Sequence, residues 1–292
     1  ISGLELESYL QRVYPQDELF ANVVGFLNDD RIPQAGLEQS LNKTLSGTKE
    51  PVRTLRLAMD GTPLPDDLDP GVFYRDYAQL QLTLDSRLQE LSAKALAEAI
   101  KEWNAKRGVA IVMDVTNGEI LALTSTPTYN PNSFWKYPSA LFKEWSVQDL
   151  YEPGSTFKPI NLALALQEGA IEANGTVDDN GIIKVGGWSL RNYDFGSNGV
   201  MNFAEVLQAS SNIGMVKAMS NLNPSTYWDW LHALGIDEEP DTDLPGAVAG
   251  SLKPKQVFVN KAIEPAVASY GHGFSLTPLK LAQLHALIAN GG

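Results

Sequence analysis

Ser155 and Lys158 stand three residues apart directly after the turn-forming run Tyr151-Glu152-Pro153-Gly154. Residues at that spacing on a helix share a face, so a hydroxyl and an amine meet without a histidine. The chemistry this permits is nucleophilic attack by Ser155 with Lys158 taking its proton. A free lysine, with a pKa of about 10.4, is protonated at neutral pH, so the pair works only where the charge on Lys158 is disfavoured. A helix N-terminus serves both partners: its unpaired N–H groups lower the pKa of a nearby ammonium and stabilise an oxyanion forming at the serine. Pro153 and Gly154 favour a helix start close to Ser155, and Pro159 lies near enough to that start to cost little hydrogen bonding.

The same spacing recurs at Ser40 with Lys43, Ser46 with Lys49 and Ser133 with Lys136, and these read as solvated faces. Ser155 differs because it precedes an apolar stretch, Pro159 to Leu166, that predicts a buried helix. A second polar group, Ser210-Ser211-Asn212, follows 55 residues after Ser155 and opens another apolar run through Met215, Val216, Ala218 and Met219. His232, His272 and His285 have no metal-ligand spacing, so neither a metal nor a cofactor is expected. Nothing marks a Ser-His-Asp triad. The net charge of -13 argues against nucleic acid as a partner. With no cysteine, disulfides and thiolate chemistry are excluded and the redox compartment is not read from cysteine usage.

The elements that must hold these residues follow from patterning. A chain of 292 residues with 43% apolar content has room for one large domain and a smaller one. The segment from Gly47 to Gly71 carries Pro51, Pro63, Pro65 and Pro70 among charges and reads as a hinge. Leu80, Leu82 and Leu84 alternate with polar residues and predict a strand. Asp85 or Ser86 then caps a helix with Leu88, Leu91, Ala95, Ile100 and Trp103 on one face, and Ser86 to Gln89 has capping-box spacing. Val109 to Val115 and Glu119 to Ser125 flank Thr116-Asn117-Gly118 and predict an antiparallel hairpin. A helix, a hairpin and then a helical region carrying the serine predict an α+β domain with helices packed on an antiparallel sheet.

Together, Ser155, Lys158, Ser210 and Asn212 resemble the first two signatures of the active-site serine penicillin-recognising family, S-x-x-K and S-x-N. The resemblance runs from about residue 78 to the end. Leu82-Thr83-Leu84-Asp85 with Leu88-Gln89, the stretch from Val109 to Pro131, Tyr270-Gly271-His272-Gly273 with Thr277-Pro278, and Ala289-Asn290-Gly291-Gly292 look like a class B transpeptidase domain. More loosely, Tyr14-Pro15, Val24-Gly25 and Gly36-Leu37-Glu38 through Gly47 look like the non-catalytic pedestal that precedes it, with Glu38 structural. The resulting division is a partial pedestal, or dimerisation domain, with its linker over 1–77 and a transpeptidase domain over 78–292. The segments around Tyr151 and Tyr270 lean towards the division-type member over the elongation-type.

The resemblance implies a D,D-transpeptidase. Ser155 attacks the carbonyl of a terminal D-alanyl-D-alanine, Lys158 is the base, Ser210 relays a proton, and Asn212 holds the substrate amide and steadies Lys158. The acyl-enzyme is resolved by an amine from a neighbouring peptidoglycan stem peptide, and β-lactams acylate the same serine. His272 is expected beside the cleft, and Tyr129 to Asn132 with Trp135 in a loop near it. The family also implies a glycan-polymerising membrane partner, other division proteins, a membrane anchor and a place on the extracytoplasmic face of the bacterial membrane. No run here is long enough to cross a bilayer and no signal peptide opens the chain, so truncation is expected at that end.

One departure is that no Lys-Thr-Gly or Lys-Ser-Gly occurs. In the family this third motif supplies a carboxylate-binding strand and one oxyanion-hole N–H, so the chain is expected to be truncated before that strand. Losing one such donor costs roughly 10²- to 10³-fold in rate. Two other readings use the same residues: a β-lactam-binding sensor or scaffold that does not turn over, and a D,D-carboxypeptidase or β-lactamase.

Overall fold

The computed structural model describes residues 11–46 and 79–292, so the hinge expected between Gly47 and Gly71, and Lys49 of the pair Ser46 with Lys49, lie outside the described residues. The chain divides into two compact units. The first comprises Ile1–Thr83, Thr128–Phe142 and Asp243–Pro245; the second comprises Leu84–Pro127, Lys143–Thr242 and Gly246–Gly292.

In the first unit, the short helix α1 (Ala21–Val24) leads into an antiparallel pair, β1 (Phe26–Leu27) and β2 (Pro33–Ala35), followed by α2 (Gly36–Ser40) and α3 (Asn42–Leu45). Glu38 on α2 is buried, and its carboxylate meets Arg12 at 2.7 Å and accepts from the Tyr14 hydroxyl at 3.4 Å. That hydroxyl in turn accepts the Leu27 amide at 2.8 Å, so Glu38 is a structural residue here. Tyr129 is fully buried in this unit with Phe26 and Phe142. Within the segment Tyr129 to Trp135, Tyr129 and Phe134 pack against Phe26, whereas Trp135 is exposed.

The second unit opens with α4 (Ser86–Glu102), capped by the Asp85 carboxylate, which accepts the amides of Arg87 and Leu88 at 2.9 Å. The expected capping box does not form. Gln89 instead turns inward, 1% exposed, and its amide clamps both backbone groups of Leu123 at 2.7 and 2.8 Å. With Gln89 inward, the buried side of α4 runs through Leu96 and Ile100, whose methyl groups sit against Gly108; Leu91 and Trp103, expected on that side, are 64% and 77% exposed. The run through Leu80, Leu82 and Leu84 alternates in exposure but forms no strand.

The predicted hairpin is present as β3 (Gly108–Met113) paired with β4 (Ile120–Thr126). Its connection, from Asp114 to Glu119, is longer than the expected Thr116-Asn117-Gly118. Asp114 ends the strand early by accepting the Thr116 amide, and Gly118, at φ +79°, closes back on the Asp114 carbonyl. The remaining elements are α5 (Trp145–Gln148), α6 (Lys158–Gln167), β5 (Thr176–Asp179), β6 (Ile182–Val185), β7 (Trp188–Arg191), β8 (Gly199–Asn202), α7 (Phe203–Gln208), α8 (Asn212–Met219), α9 (Pro224–Ala233), α10 (Lys255–Asn260), α11 (Ile263–Ala268) and α12 (Pro278–Ala289). β5 pairs with β8 and β6 with β7, all antiparallel.

As the apolar run predicted, α6 lies in the core, where Phe157, Ile160, Leu162, Leu164 and Ala165 meet Met215, Leu231 and Leu276. Asn161 is wholly buried on the same helix and donates to the carbonyls of Ala268 and Ser269 while accepting from Tyr227, which locks α6 to the end of α11 and to α9. No helix among the described residues is long and apolar enough to cross a membrane.

Candidate active site

Ser155 stands in a 3-10 turn, Gly154–Phe157, that runs directly into α6. Three residues per turn stack positions i and i+3 above one another, so Ser155 and Lys158 share one edge. The turn is fixed from three sides. Thr156 Oγ1 donates to the Pro153 carbonyl at 2.7 Å, the Phe157 ring is fully buried edge-on against Phe274, and the Gly154 amide donates to the Gly271 carbonyl at 2.9 Å. Gly271 has φ +84°, and a Cβ there would fall 2.0 Å from the Gly154 carbonyl oxygen, so only glycine allows the two backbones to approach this closely. Ser155 itself is exposed, and its hydroxyl takes no hydrogen-bond partner among the described residues.

Lys158 is the opposite case. It is 1% exposed, and its Nζ donates to the Ser210 carbonyl at 2.6 Å, to Ser210 Oγ at 3.1 Å and to Asn212 Oδ1 at 2.9 Å. All three acceptors are neutral. Burial without a countercharge pushes the Lys158 pKa down to about 8. Lys43 and Lys136, from the other S-x-x-K pairs, are exposed, and Ser133 sits at a non-helical kink.

Ser210 reaches Lys158 because the chain leaves α7 through a left-handed residue. Ser210 has φ +53°, and the following Ser211 amide bonds back to the Val206 carbonyl at 3.0 Å. Ser211 then caps α8: its buried Oγ accepts the Gly214 amide at 2.8 Å. Gly214 is required, since a Cβ would lie 2.8 Å from Val206. The structure thus joins Lys158, Ser210 and Asn212 by hydrogen bonds and sets Ser155 in the same cleft, of about 340 Å³, lined also by Asn192, Asn198, Tyr193, Tyr270 and His272. His272 therefore borders the cleft, with its ring edge-on to Tyr270 at 5.2 Å. His232 pairs instead with Asp237, and His285 with the Thr156 carbonyl.

Sequence reasoning missed Asp179, Asn192 and Asn198. Asp179 is 0% exposed and accepts from Asn192, Asn198, Ser211 and the Gly181 amide. Desolvation raises its pKa, but these four donors outweigh it and hold it below the ordinary carboxylate value. The available signal was the density of Asp, Asn and Gly between Asp178 and Asn198, which reads equally well as surface turns.

The model of the penicillin binding protein transpeptidase domain matches residues 108–292, and that of the penicillin binding protein A dimerisation domain matches residues 5–62. A peptidoglycan D,D-transpeptidase FtsI homolog from Mesostigma viride is 40% identical over 100% of this chain and 50% of its own length. The Escherichia coli K12 peptidoglycan D,D-transpeptidase FtsI is 31% identical over 100% of this chain and 48% of its own. The crystal structure of penicillin binding protein 3 from Mycobacterium tuberculosis superposes with a TM-score of 0.82 at 26% identity, covering 96% of this chain and 58% of that one; its aztreonam complex gives 0.81. The chain belongs to the penicillin binding protein transpeptidase domain family. It spans about half the length of the curated relatives it matches.

Proposed function

We propose that this chain carries the acyl-transfer centre of a peptidoglycan D,D-transpeptidase that β-lactams acylate. The observation that carries the reading is Lys158, a buried amine held only by neutral acceptors, one turn from an exposed serine hydroxyl. At a pKa of about 8, roughly a tenth of Lys158 is unprotonated at pH 7, whereas an ordinary lysine would be so in only about 0.04% of molecules. In the neutral amine, the two N–H groups go to the acceptor-only Ser210 carbonyl and Asn212 Oδ1. Its lone pair is then left for a hydroxyl.

Ser155 Oγ attacks the carbonyl carbon of the D-alanyl-D-alanine bond, and its proton passes to Lys158 Nζ. The tetrahedral oxyanion, held by the Ser155 amide, collapses and breaks the C–N bond. The departing D-alanine nitrogen collects its proton from Lys158 through Ser210, the one lysine partner that can both donate and accept. An acceptor amine from a second stem peptide runs the sequence in reverse. Asn212 steadies Lys158 and offers its amide to the substrate. The same serine opens a β-lactam ring, and penicillin binding protein 3 of Mycobacterium tuberculosis has been crystallised complexed with aztreonam and with ampicillin.

Residues 1–77 form the pedestal in this reading, and 78–292 the transpeptidase domain. In this reading the substrate, a peptidoglycan stem peptide, favours a position at the extracytoplasmic face of a bacterial-type membrane, beside a glycan-polymerising partner. Incubation with benzylpenicillin followed by intact-mass spectrometry and peptide mapping tests the reading. A covalent adduct is expected on Ser155, lost in Ser155→Ala and retained in Ser133→Ala; an adduct that survives Ser155→Ala refutes it.

A further inference from the structure

Asp179 is a buried carboxylate with no cationic partner among the described residues, an arrangement that normally costs several kcal/mol. It sits at the end of β5, and Oδ2 accepts from Asn192 Nδ2 at 2.8 Å, Asn198 Nδ2 at 2.7 Å and Ser211 Oγ at 2.7 Å, while Oδ1 accepts the Gly181 amide at 2.8 Å and Asn192 Nδ2 again at 3.0 Å. An ionised carboxylate only accepts, so every neighbour must point a donor at it.

That one-way polarity has consequences at α8. Asn192 must turn its NH₂ group to Asp179, which leaves Oδ1 facing the first helical amides, and it accepts Asn212 N at 2.9 Å and Ile213 N at 3.2 Å. Ser211 must donate its proton to Asp179, which leaves a lone pair for the Gly214 amide. The first three N–H groups of α8 are thus held by acceptors whose orientation Asp179 dictates. Asn212 and Ser210, the two residues that grip Lys158, flank the turn so fixed.

We propose that Asp179 is a positioning residue for acyl transfer, acting through Asn192 and Ser211 to hold Ser210 and Asn212 around the Lys158 amine. This rests on the function proposed above. Asp179→Asn keeps the size and removes the polarity: an NH₂ replaces an acceptor oxygen where donors already converge. Asn192 then loses the charge that orients its NH₂ group, its Oδ1 holds the α8 amides less firmly, and the grip of Asn212 on Lys158 loosens. Loss of an acceptor for the ammonium disfavours the charged lysine.

Two measurements on Asp179→Asn, normalised to the folded fraction, test the proposal. Hydrogen exchange at residues 212–214 should quicken at least tenfold, while exchange within α6 stays as in the parent chain; this readout needs no chemistry. The benzylpenicillin acylation rate should fall about 10- to 100-fold, and its pH midpoint should move to lower pH. A merely structural role lowers the folded fraction and leaves that midpoint where it was. Unchanged exchange at 212–214, or an acylation profile with the parent midpoint, overturns the proposal. If the parent chain itself is not acylated, the functional reading fails on its own account, and the exchange result still decides whether Asp179 sets the start of α8.

Discussion

Replacing Lys158 with Met gives a direct measure of the charge the fold has buried. Methionine matches the length of the lysine stem and carries no ionisable group, so the difference in stability between the two chains isolates the titration of one amine. The Lys158 pKa falls from 10.5 to about 8, which at 1.36 kcal/mol per unit amounts to about 3 kcal/mol. Between those values an unfolded chain holds a proton on this lysine that the folded chain does not. Unfolding then binds protons, and stability rises with pH across that window. Below pH 8 both states are protonated and the full penalty stands; above 10.5 it has gone. Urea unfolding at unit steps from pH 7 to 11 should therefore show the parent chain gaining on Lys158→Met by about 1.4 kcal/mol per pH unit between 8 and 10.5, with a flat difference below 8. The Met side chain leaves the Ser210 carbonyl and Asn212 Oδ1 without the donor they now have, an offset of about 1–3 kcal/mol that does not vary with pH. A difference that stays flat from pH 8 to 10.5 would refute a depressed Lys158 and with it the source of the base.

Two other perturbations act on the scaffold of the site. Asn161→Ala removes three buried hydrogen bonds and takes their partner from the Ser269 carbonyl and the Tyr227 hydroxyl, while the Ala268 carbonyl keeps the Gly271 amide, so thermal or urea denaturation should show a loss of about 3 kcal/mol. Gly271→Ala forces a Cβ into the Gly154 carbonyl at a left-handed backbone position. Benzylpenicillin labelling of Ser155 should slow at least tenfold even where circular dichroism shows an intact fold, and labelling at the parent rate would show that the Gly154–Gly271 contact does not set the serine.

The local parts of this site were legible in the sequence and the long-range ones were not. Ser155, Lys158 and the buried α6 follow from spacing, a Pro-Gly turn and an apolar run, all between Pro153 and Gln167. The Asn117-Gly118 hairpin was legible for the same reason, although Asp114 captured its turn through side-chain bonds that hydropathy does not register. Gln89 shows the limit more sharply. Its spacing from Ser86 fits a capping box, yet a backbone edge at Leu123, 34 residues away, offers a buried amide two partners at once and wins. With Gln89 taking an inward position, Leu88 and Ile100 of the expected face stay half-buried while Leu91 and Trp103 face solvent. The surroundings of Tyr129 were illegible for a similar reason: only the fold shows Phe26 and Phe142 enclosing its ring.

The same distinction separates the residues that react from the residues that make reaction possible. A serine and a lysine three apart occur four times in this chain, and spacing alone gives each pair the same claim. What sets Ser155 and Lys158 apart is the company of the amine. Lys158 is enclosed by a carbonyl, an amide oxygen and a hydroxyl, none of which carries charge, so nothing holds its proton by ion pairing. A carboxylate in place of Asn212 would return the pKa towards or above its ordinary value and disable the base. The one buried carboxylate in the network, Asp179, sits behind Asn192 and Ser211 and reaches the site only through hydrogen-bond polarity. Keeping the charge one layer back orders Ser210 and Asn212 without pairing it to the lysine, and it accounts for an interior acidic residue that ion pairing does not explain.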